Sequence, residues 1–442
     1  MGIRDVNVFA LYGQRKNTGD VSAPFYATNG IQFLVASIGY DGGVTGASLS
    51  GYGIVPSSTT PTSNSTTPTA SIAAGATSVT LTSATGYVAG GYIQVDANNT
   101  TTPTTSEIRK ISSLVGSVVT FDSPLNFAHA SSATLKYIAA AAATVSITGS
   151  NTVTTSVITT ASTTGVATGM VVTGNGVPSN TTVVSFSAGV SITVSNVITQ
   201  ANASATFTLT GPAPQFVHTI LQGNSLPSLT IEKNIGGVQS LTFAGSKIGK
   251  YSLKLASGDS PAEFSASVIS KSVTIKDVVT PISGIVNESP FVFAEANLTF
   301  MGNTVAQVMS VGLDVENGLK PTYTFNNSHD LQFLTPLTRK ITGQMEVVFT
   351  SLDDSDWGYY IKMQSQAQAS LSLTLTHPTT AIGGAESLTI TLPQVNISKY
   401  ADGLKLEDVV LSTLDFEASY ALGAAVPQTI SASVTNAAWL PY

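Results

Sequence analysis

The 442-residue sequence predicts an all-β protein with one flanking helix. Many short runs alternate apolar and polar residues, which turns one apolar face inward on a strand. A central block consists of Val, Thr and Ile runs punctuated by Gly, the composition of small β modules. A single segment shows helical spacing.

The totals bound the function. Charged residues make up 10% of the chain, against ~25% in an average soluble protein. Hydrophobic residues make up 42%, enough to build cores, and disorder driven by high charge is not expected. There is no Cys, hence no disulfide frame and no thiolate chemistry. The net charge of -7 argues against a nucleic-acid-binding surface made of basic patches, though not against a protein that nucleic acid slides past. No run approaches ~18 apolar residues without Ser, Thr or Gly, so no membrane insertion is expected.

In chain order, MGIRDVNVFALYGQRKNTGD sets Arg4, Asp5, Arg15 and Lys16 around a short apolar patch, unlike a secretory signal. NGIQFLVASIGY (Asn29 to Tyr40) reads as ordinary globular chain. PSSTTPTSNSTTPTAS (Pro56 to Ser71) then breaks off into Ser, Thr and Pro, the composition of a stiff, solvated linker. From Val55 to Ala213 the only charges are Asp96, Glu107 and Asp122 against Arg109, Lys110 and Lys136. That leaves 22 of the 25 acids and 15 of the 18 bases to the rest of the chain.

The neutral block repeats itself. TGYVAG (Thr85 to Gly90) answers TGVATG (Thr164 to Gly169), GSVVTF (Gly116 to Phe121) answers GVSITV (Gly189 to Val194), and SATLKY (Ser132 to Tyr137) answers SATFTL (Ser204 to Leu209). Two units of roughly 70 residues follow, joined at the run Ala139 to Ala143. The body on either side alternates with period two, as in Leu414, Phe416 and Ala418, with Asp415 and Glu417 facing the other way. Tyr251, Leu253 and Leu255, and Met345, Val347 and Phe349, show the same alternation. SLDDSDWGYYIKMQSQAQA (Ser351 to Ala369) opens on Ser and Asp and spaces Trp357, Tyr360 and Ile361 at i, i+3, i+4. It predicts an amphipathic helix of about three turns.

Catalytic patterns fail on inspection. None of His129, His218, His329 and His377 sits in a metal-ligand spacing. GDS at Gly258 to Ser260 has no helix after it to form a nucleophile elbow. DDSDWG at Asp353 to Gly358 lacks the bidentate Glu of a calcium loop, and a helix N-terminus accounts for its acids. No catalytic residue, cofactor or metal is expected, and the chain reads as a structural subunit.

The order of the body segments carries a family resemblance. SLPSLTIEKNIGG (Ser225 to Gly237) precedes KIGKYSLKLASGDSPAEFSASVISKS (Lys247 to Ser272). FAEANLTFMGNTVAQVMSVGLDVENGLKP (Phe293 to Pro321) and TPLTRKITGQMEVVFTSLDDSDW (Thr335 to Trp357) follow. This order resembles the tail tube proteins of long-tailed bacteriophages without a contractile sheath. The resemblance covers about Phe216 to Val434, with weaker support from Phe33 to Ile38. It implies a tail-tube-type β-barrel or sandwich with a flanking helix, here carrying two small inserted β modules.

What the resemblance implies about function is structural. Six copies would form a ring, and rings would stack into a virion tail tube, assembled in the host cytoplasm. The tube would surround a tape-measure protein, meet tail terminator and tip proteins, and carry DNA only as transiting cargo. The long connection from Asn317 to Leu337 matches the stacking loop of the family and carries Lys320, Tyr323, Phe325 and Phe333. The expected division is a tail tube domain over 1–54 and 211–442, a linker over 55–71, and modules over 72–139 and 140–210. The modules would decorate the tube exterior and could meet host-surface glycans. A surface adhesin of tandem β domains, and a glycan-active protein, are alternatives. The interrupted arrangement counts against the first, and the lack of paired carboxylates in a plausible site against the second.

Overall fold

The computed structural model describes residues 15–28, 30–41, 55–56, 62–99, 105–138, 144–163, 166, 170–178, 181–211, 215–258, 260–280, 289–305, 307–324, 329–349, 358–377, 386–403, 410–422, 428–436 and 438. The chain is mostly strand and divides into two compact units. The first comprises 1–40, 222–372 and 391–430; the second comprises 41–221, 373–390 and 431–442.

The first unit is built on an antiparallel sheet. Its strand order is Asn17–Pro24, Glu263–Ser270, Gln239–Ala256, Val308–Glu316, Lys340–Val348, Leu411–Ala418, then the later half of Ser387–Gly403. Alternation sorts the two faces as the sequence foretells. Tyr251, Leu253, Leu313, Val315, Met345 and Phe416 are all buried on one face. At ~25 cal/mol per Å² of apolar area, each such side chain contributes roughly 1.5 to 3 kcal/mol. Gly343 lies beneath the Phe416 ring, and a Cβ there would also meet the Gly312 carbonyl oxygen at 2.5 Å.

Two α-helices occur among the described residues of this unit. α1 spans Ile31–Ile38 and buries Ile31, Leu34, Val35 and Ile38. Its Phe33 ring packs on Phe264 at 5.3 Å between centroids. α2 spans Tyr359–Gln364, with Tyr359 buried against Phe300. The helix expected over 351–369 is longer than α2: residues 351–357 lie outside the described residues, and 365–369 form a turn and the start of a strand.

Beyond the main sheet the long strand Gln239–Ala256 continues between Leu229–Ile235 and Ser272–Lys276 as a three-stranded extension. Gly245, at φ +61°, marks the bend.

The second unit holds two six-stranded sheets. The first orders its strands as Thr62–Thr66, Leu135–Ile138, Tyr92–Val95, Glu107–Val115, Val118–Phe121, Ser78–Thr80. The second orders Val171–Thr173, Asn202–Thr210, Thr144–Asn151, Val157–Thr160, Ser191–Val194, Val183–Ser187. Isolated bridges, Pro68 to Leu81 in one and Val171 to Thr182 in the other, close both orders into the same cycle of neighbours. Each sheet has its own apolar cluster, around Ile93 and Val119 in one and around Phe207 and Ile192 in the other. Part of the stretch expected as a linker is strand, since Thr62–Thr66 pairs with Leu135–Ile138. Strand Phe216–Gln222 pairs with Val55–Pro56 and Ser431–Asn436. Its Phe216 ring is buried with Tyr92, Ile108 and Ile138, so the first six-stranded sheet packs on this strand.

Candidate functional site

The face of the main sheet opposite its apolar core is polar, and strand register orders it into rows. One row reads Asp20, Ser267, Lys250, Glu316, Lys340. The next reads Ser22, Ser265, Ser252, Asp314, Thr342, Glu417, Asn396. A third reads Glu263, Lys254, Gly312, Gln344, Asp415, Lys399. These rows hold six acids and four lysines, so the face keeps a net acidic charge. A shallow trough of about 680 Å³ runs along part of it.

The side chains on this face bind one another. Lys250 Nζ donates to Asp314 Oδ2 at 2.9 Å and lies 3.6 Å from Glu316. The hydrogen bond to Asp314 raises the lysine pKa above its ordinary value, and the charges of Asp314 and Glu316 add to the effect. Gln344 Nε2 donates to Asp415 Oδ1 at 2.8 Å, and Lys340 lies 3.7 Å from Glu417. Half-exposed pairs of this kind are each worth about 0 to 1 kcal/mol. Their effect is to hold Lys250 and Lys340, two of the four lysines of these rows, on carboxylates.

The loop from Asn317 to Leu337 leaves the sheet where Glu316 pairs with Lys340. Its base is clamped. Asn317 is buried and donates through Nδ2 to the Ser37 and Ile248 carbonyls at 2.9 and 3.1 Å. Arg339 donates through Nε to Asn317 Oδ1 and through NH2 to the Gly223 carbonyl, both at 3.0 Å. Burial pulls the Arg339 pKa down to about 10. Neither residue was singled out in the sequence, although LTRKITG holds Arg339; clamps across such separations leave no local pattern.

Above the clamp, Lys320–Thr322 pairs with Phe333–Thr335 as a two-stranded hairpin. Of the four residues expected to face a neighbour, Lys320 and Phe333 are exposed. Tyr323 instead donates its hydroxyl to the Arg15 carbonyl at 2.8 Å, within its own chain. Phe325 lies outside the described residues. Leu331 and Leu334 are buried, so the hairpin has an inward side and an outward side that presents Phe333 and Leu337.

The other titratable residues do different work. In the first six-stranded sheet, buried Glu107 accepts from Arg109, lies 3.0 Å from His129 Nε2, and accepts from the backbone amides of Asn126 and Phe127. His218 is buried with Nε2 2.7 Å from the Ala438 carbonyl. No group of His, Asp and Glu that could hold a metal occurs among the described residues. Gly258 and Ser260 lie between two strands of the main sheet, and Asp259 and the Asp353 cluster lie outside the described residues. No described helix is long and apolar enough to cross a membrane.

A family model described as phage tail tube protein matches residues 173–418, more than half of the chain. The match runs from the end of the Val171–Thr173 strand to the end of Leu411–Ala418. It therefore includes later strands of the second six-stranded sheet. No curated protein matches the chain.

Proposed function

The chain belongs to the phage tail tube protein family, and from that premise we propose that six copies close into a ring and that rings stack into a tube that conducts DNA. The tube is that of a long-tailed, non-contractile phage, built in the host cytoplasm around a tape-measure protein and bounded by terminator and tip proteins. The polar sheet face supports this reading best. It is broad and net acidic, with Lys250 and Lys340 held on carboxylates, a wall along which a polyanion moves without binding. Among the described residues the strand order ends at Asn17–Pro24, and in this proposal its outer edge offers backbone groups to a neighbouring copy. Closure of a ring removes such edges, as a barrel does within one chain.

The loop carrying Lys320, Tyr323, Phe325 and Phe333 contacts the adjacent ring in this proposal. The two six-stranded sheets are decorations of the tube exterior, inserted between the two parts of the tube domain, with host-surface glycans as a ligand class. Electron microscopy of the purified full chain tests the central claim. Hollow tubes or six-fold rings are expected, and a monomer at every concentration and salt condition would refute it.

A further inference from the structure

The three-stranded extension sorts its faces the wrong way round for a chain that stands alone. Register sets Ile231, Phe243 and Val273 in one row, Lys233, Leu241 and Ile275 in the next, and Ile235 beside Gln239 in a third. The opposite face carries Glu232, Thr242 and Thr274, then Asn234, Ser240 and Lys276. It is the polar face that is covered at its centre, where Ser240 and Thr242 are buried. On the apolar face Leu241 and Phe243 are half-buried, Ile235 is 49% exposed and Ile275 is 71% exposed. Val238 and Val278 are exposed at the tip. Lys233 is the one charge in the apolar rows. Contiguous exposed apolar surface of this kind marks a binding face.

The main sheet ends well short of this patch. Leu241, the partner of Ile275, stands nine residues before Lys250, where the strand enters the row of Glu316 and Lys340. At ~3.3 Å per residue, the patch lies about 30 Å of strand beyond that row. The pairing of Asn17–Pro24 stops at Ser270, so Ser272–Lys276 has no strand on its outer side among the described residues. The same unit also exposes apolar side chains at the other end of the sheet. Met309 lies at the start of Val308–Glu316, and α2, which follows the end of Lys340–Val348 in the chain, presents Tyr360 and Ile361. Tyr359 on Phe300 and Tyr360 on Tyr400 anchor α2 there. The length of Lys340–Val348 adds about 25 Å to the separation. One chain therefore carries both surfaces and joins neither to the other. Two copies set head to tail along the strands bring them together, and a heterologous contact of this kind repeats without limit. Membership of the tail tube family supplies the second copy, since its subunits assemble with one another.

We propose that the apolar face of the extension, centred on Leu241 and Ile275, packs on α2 of a copy in the next ring, against Tyr360 and Ile361. This deepens, and rests on, the reading of the chain as a stacking tube subunit. The sequence holds no Cys, so introduced thiols report on their own positions alone. Tubes of the full chain carrying Ile275→Cys with Ile361→Cys, treated with a short bismaleimide, are expected to give a ladder of covalently joined chains. Each single variant gives no ladder, and isolated rings of the double variant give none. Ile235→Ser with Ile275→Ser changes exposed positions and is expected to give folded rings that do not lengthen. Cysteine-variant tubes without a ladder, a ladder already present in isolated rings, a link closed within one chain, or normal tubes from the serine variant overturns the contact and leaves the tube function standing. A wild type that forms neither rings nor tubes overturns the tube function and the contact together. Should the serine variant fail to fold, the ladder in tubes decides.

Discussion

Asn317 and Arg339 stand where the sheet hands the chain to the hairpin. Asn317→Ala leaves the Ser37 and Ile248 carbonyls and the Arg339 guanidinium without their partner. Arg339 keeps the Gly223 carbonyl; for the two carbonyls, at about 1 to 3 kcal/mol each, a loss of about 2 to 6 kcal/mol is expected in denaturant unfolding, together with a displaced hairpin. Phe333 behaves oppositely. It is exposed in the single chain, so Phe333→Ser leaves the unfolding midpoint unchanged, yet is expected to remove roughly 1.5 to 3 kcal/mol per subunit from the proposed ring-to-ring contact. Folded rings that fail to lengthen, seen by microscopy, are the expected result. Gly343 is fixed by packing: Gly343→Val meets the Phe416 ring and the Gly312 carbonyl and costs about 1 to 3 kcal/mol by overpacking.

At the scale of elements, the three-stranded extension depends on Glu232. Nearby Ser240 and hydrogen bonds from the Thr280 amide and hydroxyl hold its carboxyl down at about 2, and Lys276 lies 3.2 Å away. A carboxyl whose folded pKa is depressed stabilises the fold above its unfolded value and loses that contribution as the pH falls through the folded one. The stability gap between wild type and Glu232→Gln therefore closes as the pH falls from about 4.5 through about 2. The first six-stranded sheet has the converse dependence. Burial pushes Tyr87 up to about 12, and its hydroxyl donates to the Leu135 carbonyl at 2.7 Å. That contribution is complete below pH ~10, where free tyrosine is neutral, and is lost as the pH rises through about 12. Thermal melts of the isolated 62–138 segment against its Tyr87→Phe variant measure the difference.

For the whole molecule, the proposed division makes the block from 55 to 210 dispensable for the tube. Joining Gly53 to Gly211 through a short Gly/Ser link gives a chain of about 285 residues. Phe216 packs on Tyr92, Ile108 and Ile138, so the deletion exposes that ring, and Phe216→Thr belongs in the same variant. Rings and tubes from this chain are expected by microscopy; misfolding despite the Thr would assign the block to the core architecture. The acidic wall is tested separately. Asp415→Lys with Glu417→Lys changes the face by four charges without touching the apolar core. Tubes should still form, and genome release from virions carrying it should slow, most at low salt.

Alternation is a property of neighbouring residues, so the sequence by itself determined which positions of the body strands point inward. Phe416 and Leu414 are buried and Asp415 and Glu417 are not, because successive side chains of a strand must take opposite faces. It determined the neutral block and the family for the same reason, since composition and motif order need no coordinates. α1 escaped because Ile31, Leu34, Val35, Ala36 and Ile38 are buried on nearly every side, and a short apolar run of this kind has no polar stripe to reveal its period. The strand Thr62–Thr66 escaped because backbone hydrogen bonds to Leu135–Ile138 hold it, whatever its Ser and Thr side chains suggest. Only tertiary structure decided that Asn317 reaches Ser37, that Glu107 meets His129, and that Ile275 lies beside Leu241. Those contacts join residues far apart in the chain, and the register and bends that bring them together are set by the packing of the whole sheet.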